Sequence, residues 1–341
     1  MSFKRFDTED IVISADSITA PAWSDNNVTL STFFTKVSQR NGDSGKYYYN
    51  VYNKDTSDVT SDIQFSVAFG HVAGSGSKAI DELVPGFSPS TVIYKQYRTL
   101  VNGTEEENLK FDSITSDYIY AISIERARFK EKLLPGSLSL SLTNGANTVT
   151  LTDDSNYTTT TKFSDAGRVY NLISGSSGTR YNGQGTDGIY GYTQASGSYG
   201  LLLPDAGLIL LNGLALDQPI INGGLNLSTD LGTTVDKVNI TKIVESITSG
   251  SNFQLRSEET VSSNYVFVRA RNSEFNYSTN PSNITGSGEL RHNIMVDSPQ
   301  AYITAVGLYN DNNDLLGVAK LSKPLLKDFT KESLIRIKLD Y

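Results

Sequence analysis

The chain of 341 residues contains no cysteine, a single tryptophan and two histidines. The lack of cysteine excludes disulfides, thiol nucleophiles and thiolate-bound zinc, and it suits assembly in a reducing cytoplasm. A histidine-based metal site would need both His71 and His292, which lie far apart in sequence and have no further histidine at helical spacing. A loop position for His71 and a position near a strand start for His292 are therefore favoured.

A basic patch and a long apolar run are also missing. The formal net charge is −8, and charges of both signs are spread along the chain. The densest cationic stretch, Glu125–Lys132 (ERARFKEK), includes acids and apolar residues and favours a solvated face over a phosphate-binding surface. The most apolar segment, Leu201–Leu216, is interrupted by Pro204, Asp205 and Asn212, too soon for a transmembrane helix. Acidic residues near the N-terminus argue against a signal peptide. We expect neither nucleic-acid binding nor membrane insertion.

The usual motifs of catalysis are absent as well. Gly42–Lys46 lacks the spacing and the hydroxyl of a P-loop, Gly74–Gly76 lacks the third glycine of a dinucleotide-binding turn, and Gly175–Gly178 is not a nucleophile elbow. Carboxylate pairs for sugar hydrolysis can be distant in sequence and stay open, although Trp23 is the only tryptophan that could line a sugar groove. We predict a non-enzymatic protein with no catalytic, cofactor-binding or metal-binding residues and no cofactor.

Two acidic clusters resemble ligand sites at first sight. Asp311–Asp314 (DNND) offers oxygen atoms to calcium, yet Leu315 and Leu316 follow where an EF-hand loop needs further ligands. Asn and Asp tolerate positive φ and hydrogen-bond their own backbone, so the cluster predicts a turn. Asp153–Asp154 has the same interpretation.

The abundant residues favour β structure: the chain has 19 tyrosines and many threonines, valines and isoleucines, punctuated by glycine and asparagine. The sequence predicts a mainly β fold of antiparallel sheets in β-sandwich-like domains, with a few short helices. Three domains are expected. Residues 1–134 form a β-rich domain with one helix near 89–101, residues 135–235 form a Gly/Ser/Asn-rich β domain, and residues 236–341 combine a helix with antiparallel strands.

Two segments have helical spacing. Ser88 and Pro89 suit the N-cap and first position of the helix near 89–101, which ends at Asn102–Gly103. Asp236–Thr248 predicts a second helix with Gly250 past its end. Its expected apolar stripe consists of Val238, Ile240, Ile243, Val244 and Ile247.

Alternating apolar residues predict strands in most of the remaining chain. The predicted strands are Asp10–Ala15, Tyr47–Tyr52, Ile63–Phe69, Ile114–Phe129, Ser137–Leu142, Thr148–Leu151, Asn264–Asn272, Asn293–Val296 and Leu334–Leu339. Val28–Val37 fits a short helix or a strand, and Leu201–Leu216 predicts a buried strand pair around Pro204–Asp205. Asn144–Gly145 predicts a two-residue hairpin turn, because both residue types accept positive φ.

A hairpin is also predicted at Tyr302–Pro324, where two apolar runs flank the Asn/Asp cluster. We expect one strand to place Ile303, Val306 and Leu308 against a second set on the other strand. That second set is Leu315, Val318 and Leu321. The final strand is expected to add beside this hairpin, leaving exposed edges that could pair with a neighbouring chain.

Three parts of the sequence resemble a family of structural proteins from contractile-tailed bacteriophages of the T4-like group, including cyanophages. They are FKRFDTEDIVISADSITAPAWS at the N-terminus, RARFKEKLLPGSLSLSL together with YGLLLPDAGLILLNGLAL, and SPQAYITAVGLYNDNNDLLGVAKLSKPLLKDFTKESLIRIKLDY at the C-terminus. The resemblance covers both ends and the centre of the chain. It carries over no functional residues.

The resemblance implies a non-enzymatic virion protein, a component of the tail baseplate wedge that assembles in the host cytoplasm. Its implied partners are other baseplate or tail subunits and copies of itself. Two alternatives stay open: a receptor- or glycan-binding tail protein, suggested by the Gly/Ser-rich residues 175–200, and a structural protein of the neck or capsid. A tail-associated hydrolase is the least favoured alternative.

Overall fold

A computed structural model describes residues 4–37, 48–74, 90–181, 197–231 and 236–340. These residues cluster into two compact units, Ile18–Glu259 and Met1–Ser17 with Thr260–Tyr341. The three expected domains are not the division that the structure shows. Both expected boundaries, near residues 134 and 235, fall inside the larger unit, because strands from either side of each boundary pair in one sheet.

The chain is mainly antiparallel β, as predicted. Its strands are β1 Ile11–Pro21, β2 Thr29–Leu30, β3 Phe34–Val37, β4 Tyr48–Tyr52, β5 Ile63–His71, β6 Lys110–Phe111, β7 Ile114–Thr115, β8 Tyr118–Ile124, β9 Lys132–Leu133, β10 Ser139–Asn144, β11 Asn147–Asp153, β12 Lys162–Ser164, β13 Gly167–Ser176, β14 Thr179–Arg180, β15 Gly200–Leu203, β16 Leu208–Asn212, β17 Phe253–Gln254, β18 Arg256–Ala270, β19 Gln300–Tyr309, β20 Leu315–Asp328 and β21 Ser333–Asp340.

Helices are short and few by comparison in the described parts of the chain. They are α1 Ser90–Asn102, α2 Gly213–Asp217, α3 Asp236–Gly250 and α4 Ile294–Asp297, with 3-10 turns at Thr8–Asp10, Arg126–Arg128 and Ile220–Asn222. Both predicted helices are present, although Ser88 and Pro89 lie outside the described residues. The glycine motif at 42–46 and most of the one at 74–76 also lie outside them. Asn293–Val296, predicted as a strand, is instead largely helical.

Thirteen of the described strands, all in the larger unit, form one curled sheet. Its order is β2-β17-β10-β11-β13-β15-β16-β8-β5-β4-β3, and β12 and β14 both pair with β13. The two ends of this path, β2 and β3, are neighbours in sequence and only Ser31–Phe33 separates them. Three residues span at most about 14 Å between the strand ends. The sheet must therefore curl until its two edges come close together.

Helix α3 bridges the two ends of the sheet, since it packs against β10 near one end and against β4 and β5 near the other. Ile240, Ile243 and Ile247 are buried in the main core, whereas Val238, expected in the same stripe, is exposed. The Thr241 hydroxyl lies 3.1 Å from the Tyr49 hydroxyl on β4. The helix thus fills the space that the curl encloses.

The middle strands of the sheet are buried on both faces. Tyr120, Leu202 and Leu211 point into the main core, while Leu201 and Leu210 join a second core on the opposite face. Helix α1 and the small β6–β7 hairpin cover that second core. Burial on both sides explains why this part of the sequence is a nearly continuous apolar run. The predicted strand pair is confirmed as β15 and β16, although the end of the predicted range, from Gly213, is helix α2.

The predicted hairpin between β10 and β11 is present, but its turn is shifted by one residue. Asn144 pairs with Asn147, so the two loop residues are Gly145 and Ala146. Gly145 has φ +60°, whereas Asn144 and Ala146 do not have positive φ. A positive φ at the first loop position alone is the pattern of a type II′ turn, which needs glycine there.

The smaller unit contains two layers of strands. In one, β18 lies between β1 and β21, with Val266 opposite Ile337 and Val268 opposite Ile335. In the other, β19 and β20 form a two-stranded ribbon of their own. The layers meet in a small core centred on Leu308 of the ribbon and on Val266, Ile335 and Ile337. The expected pairing of the final strand with the ribbon is wrong, because β21 pairs with β18 instead.

Candidate functional site

His71 belongs to the larger unit and His292 to the smaller one, just before α4. His71 ends β5 and stacks on Phe69, with Tyr118 edge-on at 6.2 Å. Burial lowers the pKa of His71, and the nearby Asp117 only partly opposes this effect. The neutral ring therefore serves as a packing group. Among the described residues, no cluster of three or more His, Asp or Glu side chains could hold a metal ion.

Asp153 and Asp154 were interpreted as a turn, and Asp154 does open one, because its carbonyl oxygen accepts the N–H groups of Tyr157 at 2.9 Å and Thr158 at 3.0 Å. The pair is nevertheless more than an exposed turn. Asp153 is the last residue of β11, and both side chains are buried. Both Asp153 carboxylate oxygens accept the Gly136 N–H, at 2.8 and 2.9 Å, and Asp154 accepts the backbone and side-chain N–H groups of Asn171. Burial raises the pKa of Asp153, although hydrogen bonds from Ser155 and from the Gly136 N–H work against the rise. The two side chains thus connect β11, β13 and the Gly136 turn through hydrogen bonds.

The basic stretch Glu125–Lys132 is held to the protein rather than presented as a cationic surface. Phe129 is buried, and the Arg126 guanidinium donates to its carbonyl oxygen and stacks on its ring at 4.6 Å. Lys130 and Lys132 form ion pairs with two acids at the start of β18, Glu259 at 2.6 Å and Glu258 at 3.6 Å. Phosphate binding has no support from this arrangement.

A tyrosine–aspartate cluster lies where the loop after α2 returns to the sheet. The Tyr118 hydroxyl donates to Asp217 Oδ2 at 2.7 Å, and Thr229 donates its N–H and hydroxyl to Asp217 Oδ1, each at 2.8 Å. The Tyr120 hydroxyl lies 2.7 Å from the Thr229 hydroxyl. Burial, followed by the Asp217 charge, raises the pKa of Tyr118 far above its ordinary value. Tyr118 thus stays a hydrogen-bond donor and anchors the loop; it is unsuited to act as a base.

A shallow concavity of about 300 Å³ lies between α1 and the sheet. Its described lining includes Tyr48, Ala68, Ile93, Gln96 and Tyr97. These side chains are apolar or neutral, and the described lining brings no carboxylate, imidazole or basic group together. The concavity offers packing surface to a neighbour or to the chain itself.

The turn predicted at Asp311–Asp314 is confirmed and forms the tip of the ribbon. Asn310 Oδ1 accepts the N–H groups of Asn312 at 3.0 Å and Asp314 at 2.8 Å, and Asn313 has φ +61°. These bonds close a self-contained turn. Both acids at the tip are exposed to solvent.

The outward side of the ribbon is the most distinctive exposed surface of the smaller unit. Gly307 pairs with Val318, Ala305 with Lys320, and Tyr309 with Leu315. The five side chains, and the open face of Gly307, are directed away from the small core. We call this set (Ala305, Gly307, Tyr309, Leu315, Val318 and Lys320) the ribbon face. Val318 is 61% exposed and Leu315 is 53% exposed, with Leu316 beside them at 70%.

Leu315 and Val318 were expected to lie against the set of Ile303, Val306 and Leu308, and this expectation is wrong, because Leu315 lies opposite Tyr309 and Val318 opposite Gly307. The register shifts between Leu308 and Tyr309, where Leu316 is the extra residue. A one-residue shift moves Leu315 to the other face of β20. Val318 faces outward without any shift, because it alternates with the inward Ala319. The side chains that do point inward from β20 are Ala319, Leu321 and Leu325.

Both outer strands of the β1-β18-β21 sheet have a free edge within the described residues. On β21, Arg336 and Lys338 lie over the ring of Tyr265, and Lys338 pairs with Asp340 at 3.1 Å and with Asp16 of β1 at 3.6 Å. On β1, Ile11, Val12 and Ile13 are exposed on both faces. Charged side chains on β21 thus disfavour pairing of its edge with another strand, whereas the exposed residues at the start of β1 are apolar.

No family model, curated protein or solved structure matches this chain. Within the part of the chain that the structure describes, no helix has the length and apolar character needed to cross a membrane. The alternative of a glycan-binding tail protein rests on residues 175–200, of which 182–196 lie outside the described residues. The ribbon face and the β1 edge are therefore the surfaces on which a functional proposal can be built.

Proposed function

We propose that this chain is a non-enzymatic structural subunit of a bacteriophage virion, a component of the tail baseplate wedge that assembles with other tail proteins. Two things support the proposal. The first is the resemblance of three parts of the sequence to structural proteins of contractile-tailed phages. The second, which carries most weight, is the ribbon face, where apolar side chains stand exposed on a hydrogen-bonded hairpin.

Exposed apolar side chains that are grouped on one surface point to protein–protein contact. Single exposed apolar residues are ordinary, but contiguous patches on a monomer mark binding sites or aggregation liabilities. On the ribbon, Tyr309, Leu315 and Val318 are adjacent across the two strands. Tyrosine is also enriched in the cores of interfaces, because its ring packs while its hydroxyl remains hydrated.

The proposal is tested by asking whether the chain is part of the particle. Virions of the source phage would be purified, separated into tails and capsids, and analysed by mass spectrometry. We expect the chain in the tail fraction and, after tail dissociation, with the baseplate. Absence from the particle would contradict the virion assignment, and presence only in capsids or necks would contradict the baseplate assignment.

A test of the ribbon face requires a variant that does not disturb the fold. Deletion of Lys331–Tyr341 is predicted to block incorporation, but β21 contributes Ile335 and Ile337 to the small core, so this deletion would also destabilise the unit. Val318→Asp changes only an exposed position. We expect it to reduce incorporation in a complementation assay, with Val59→Asp, at a 99% exposed turn of the larger unit, as the matched control.

A further inference from the structure

We propose that the ribbon face binds the same face of a second copy of this chain, with the two ribbons antiparallel about a two-fold axis that passes near Gly307 and Val318. The inference rests on the assembly role proposed above and names the partner of that surface. Three observations favour a second copy: the charge balance of the smaller unit, the alternation of large and small side chains, and the placement of charges along the ribbon.

The smaller unit is the part of the chain through which two copies can approach without strong repulsion. Its sequence contains eleven lysines and arginines and twelve aspartates and glutamates, so the larger unit carries nearly all of the net charge of −8. Like net charges repel two copies of an acidic protein at low ionic strength. Contact through the nearly neutral unit brings little net charge into the interface.

The side chains of the ribbon face are large toward the tip of the hairpin and smaller toward its base. Tyr309 and Leu315 form the large pair, and a Cβ atom added to Gly307 would lie 2.9 Å from the Tyr309 ring, so that ring leans over the glycine. Ala305, on the other side of Gly307, is small. An antiparallel two-fold contact places Tyr309 and Leu315 of each copy over Ala305 and the aliphatic stem of Lys320 of the other. Sheets packed face to face interdigitate in this way at about 10 Å separation.

Charges of opposite sign lie on the two sides of the same centre. Asp314 and Asp311 lie three to four residue steps from the Gly307–Val318 pair toward the tip, or roughly 10–13 Å at about 3.3 Å per residue. Lys320 lies two steps away in the opposite direction, and Lys323 lies beyond it in a register shift, where residues 321–324 stand opposite Thr304 alone. Neither lysine has an ion-pair partner among the described residues. The antiparallel contact therefore brings the acidic tip of each copy toward the lysine-bearing end of the ribbon of the other.

A contact of this size is weak in free solution. One hairpin face buries less than a standard interface, which is about 800 Å² per partner. We expect association at micromolar to millimolar concentrations, which becomes effective where a particle holds several copies near one another. The full-length chain at about 0.1 M salt, where the Debye length is still about 10 Å, is therefore examined by sedimentation velocity over a wide concentration range.

The first variants test whether the ribbon face is the contact. Val318→Asp places a carboxylate at the centre of the proposed interface, next to its own symmetry mate, and should weaken self-association at least tenfold. Val59→Asp is the matched control and should leave it unchanged. Circular dichroism and thermal unfolding establish that both variants keep the fold, because both positions are exposed.

Charge reversal tests the orientation. The double variant Lys320→Glu/Lys323→Glu and the double variant Asp311→Lys/Asp314→Lys each place like charges together in the antiparallel contact, and each should self-associate at least fivefold more weakly than the natural chain. An equimolar mixture of the two double variants restores opposite charges at both ends. The mixture should associate as tightly as the natural chain.

The proposal would be overturned by a natural chain that stays monomeric throughout the concentration range, by self-association that Val318→Asp does not change, or by a mixture of the charge variants that does not recover. A parallel arrangement, which also contradicts the proposal, would be revealed by charge variants that weaken nothing alone. This test is separate from the test of the proposed function. If the chain dimerises as expected but is missing from virions, only the virion proposal is contradicted.

Discussion

Phe253, on the strand next to one end of the curled sheet, packs edge-on against Phe65, on the third strand from the other end, with ring centroids 5.2 Å apart. Trp23 contacts both rings and donates its indole N–H to the Phe253 carbonyl oxygen at 2.8 Å. All three side chains are buried. The ends of the sheet are therefore joined by aromatic packing as well as by the short connection between β2 and β3.

The first prediction concerns this aromatic junction. Phe65→Ala and Phe253→Ala should each lower the free energy of unfolding by about 3–5 kcal/mol, the usual cost of removing a buried ring. The double variant should lose about 0.5–1.5 kcal/mol less than the sum, because each single change already removes the shared contact. Urea denaturation measures all three values. Phe163→Ala, at an exposed position, is the control and should change stability by less than about 0.5 kcal/mol. Additive effects would show that the two rings are not coupled.

The second prediction concerns the close approach of α3 to the sheet. A Cβ atom on Gly250, the last residue of α3, would lie 1.9 Å from the Ser141 carbonyl oxygen on β10. Gly250→Ala must therefore push the helix end away from the strand, and we expect a loss of about 2–4 kcal/mol. Gly317→Ala is the matched control, because no atom lies within 4 Å of its added Cβ. Equal melting temperatures of the two variants would contradict the packing described for α3.

The third prediction concerns the buried carboxylate of Asp153. Its pKa is raised in the folded chain, chiefly by burial, so the folded state holds the proton more tightly than the unfolded state. Folding stability contributed by this group is then greatest below the ordinary pKa of aspartate and declines as the pH rises through the raised value. Asp153→Asn keeps an oxygen that can accept from Gly136 and carries no charge. We expect it to be as stable as the natural chain or more stable at about pH 7, and to lose this part of the pH dependence.

Asp205 provides the comparison of opposite sign. Burial opposes its ionisation, but hydrogen bonds from the Arg168 side chain and backbone outweigh burial and hold the pKa of Asp205 below its ordinary value. Its contribution is present above the ordinary pKa and is lost as the pH falls through the lowered one. Asp205→Asn should cost about 1 kcal/mol at neutral pH and almost nothing near about pH 2–3. Urea denaturation across this pH range measures both variants. The same pH dependence for Asp153→Asn and Asp205→Asn would contradict the opposite directions assigned to the two pKa shifts.

The fourth prediction concerns Lys327, which is fully buried in the smaller unit. Its ammonium donates to the carbonyl oxygens of Asn272 and Asp328, at 3.1 and 2.8 Å, and to Asn276 Oδ1 at 2.7 Å. Lys327→Met fills similar space but leaves three acceptors without this donor, so we expect a loss of about 2–4 kcal/mol. Lys323→Met, on the exposed part of β20, should be neutral. A stable Lys327→Met chain would show that water replaces the ammonium at these oxygens.

The sequence predicted the structure best where the apolar pattern of a segment follows directly from which of its faces are buried. The run around Leu201–Leu216 was predicted to be a buried strand pair because a strand covered on both faces needs apolar residues throughout. Helix α3 was predicted from the spacing of Ile240, Ile243 and Ile247, which the sheet then buries. In both cases a local pattern and its tertiary environment agree.

Prediction failed where the answer depends on a partner strand far away in sequence. Alternation in Leu334–Leu339 indicates a strand but not its neighbour, which is β18 rather than the ribbon. On the ribbon, Leu316 adds one residue to β20, and alternation alone cannot locate such a bulge, so Leu315 was assigned to the wrong side. Val318 was placed on the same side as Leu321, three residues away, which regular alternation does not allow. Asn293–Val296 is too short an apolar run to separate helix from strand by periodicity. The ribbon face could therefore be identified only from the pairing register.

The return of β17 to β2 also determines when this protein can fold during synthesis. The indole of Trp23 finds its carbonyl acceptor 230 residues further along the chain. At a translation rate of about 5–20 residues per second, the N-terminal strands leave the ribosome roughly 10–50 s before Phe253 does. Contacts of such long range also slow folding itself. The early strands are apolar and cannot complete the sheet until Phe253 has been synthesised, so they are exposed to non-native pairing during that interval.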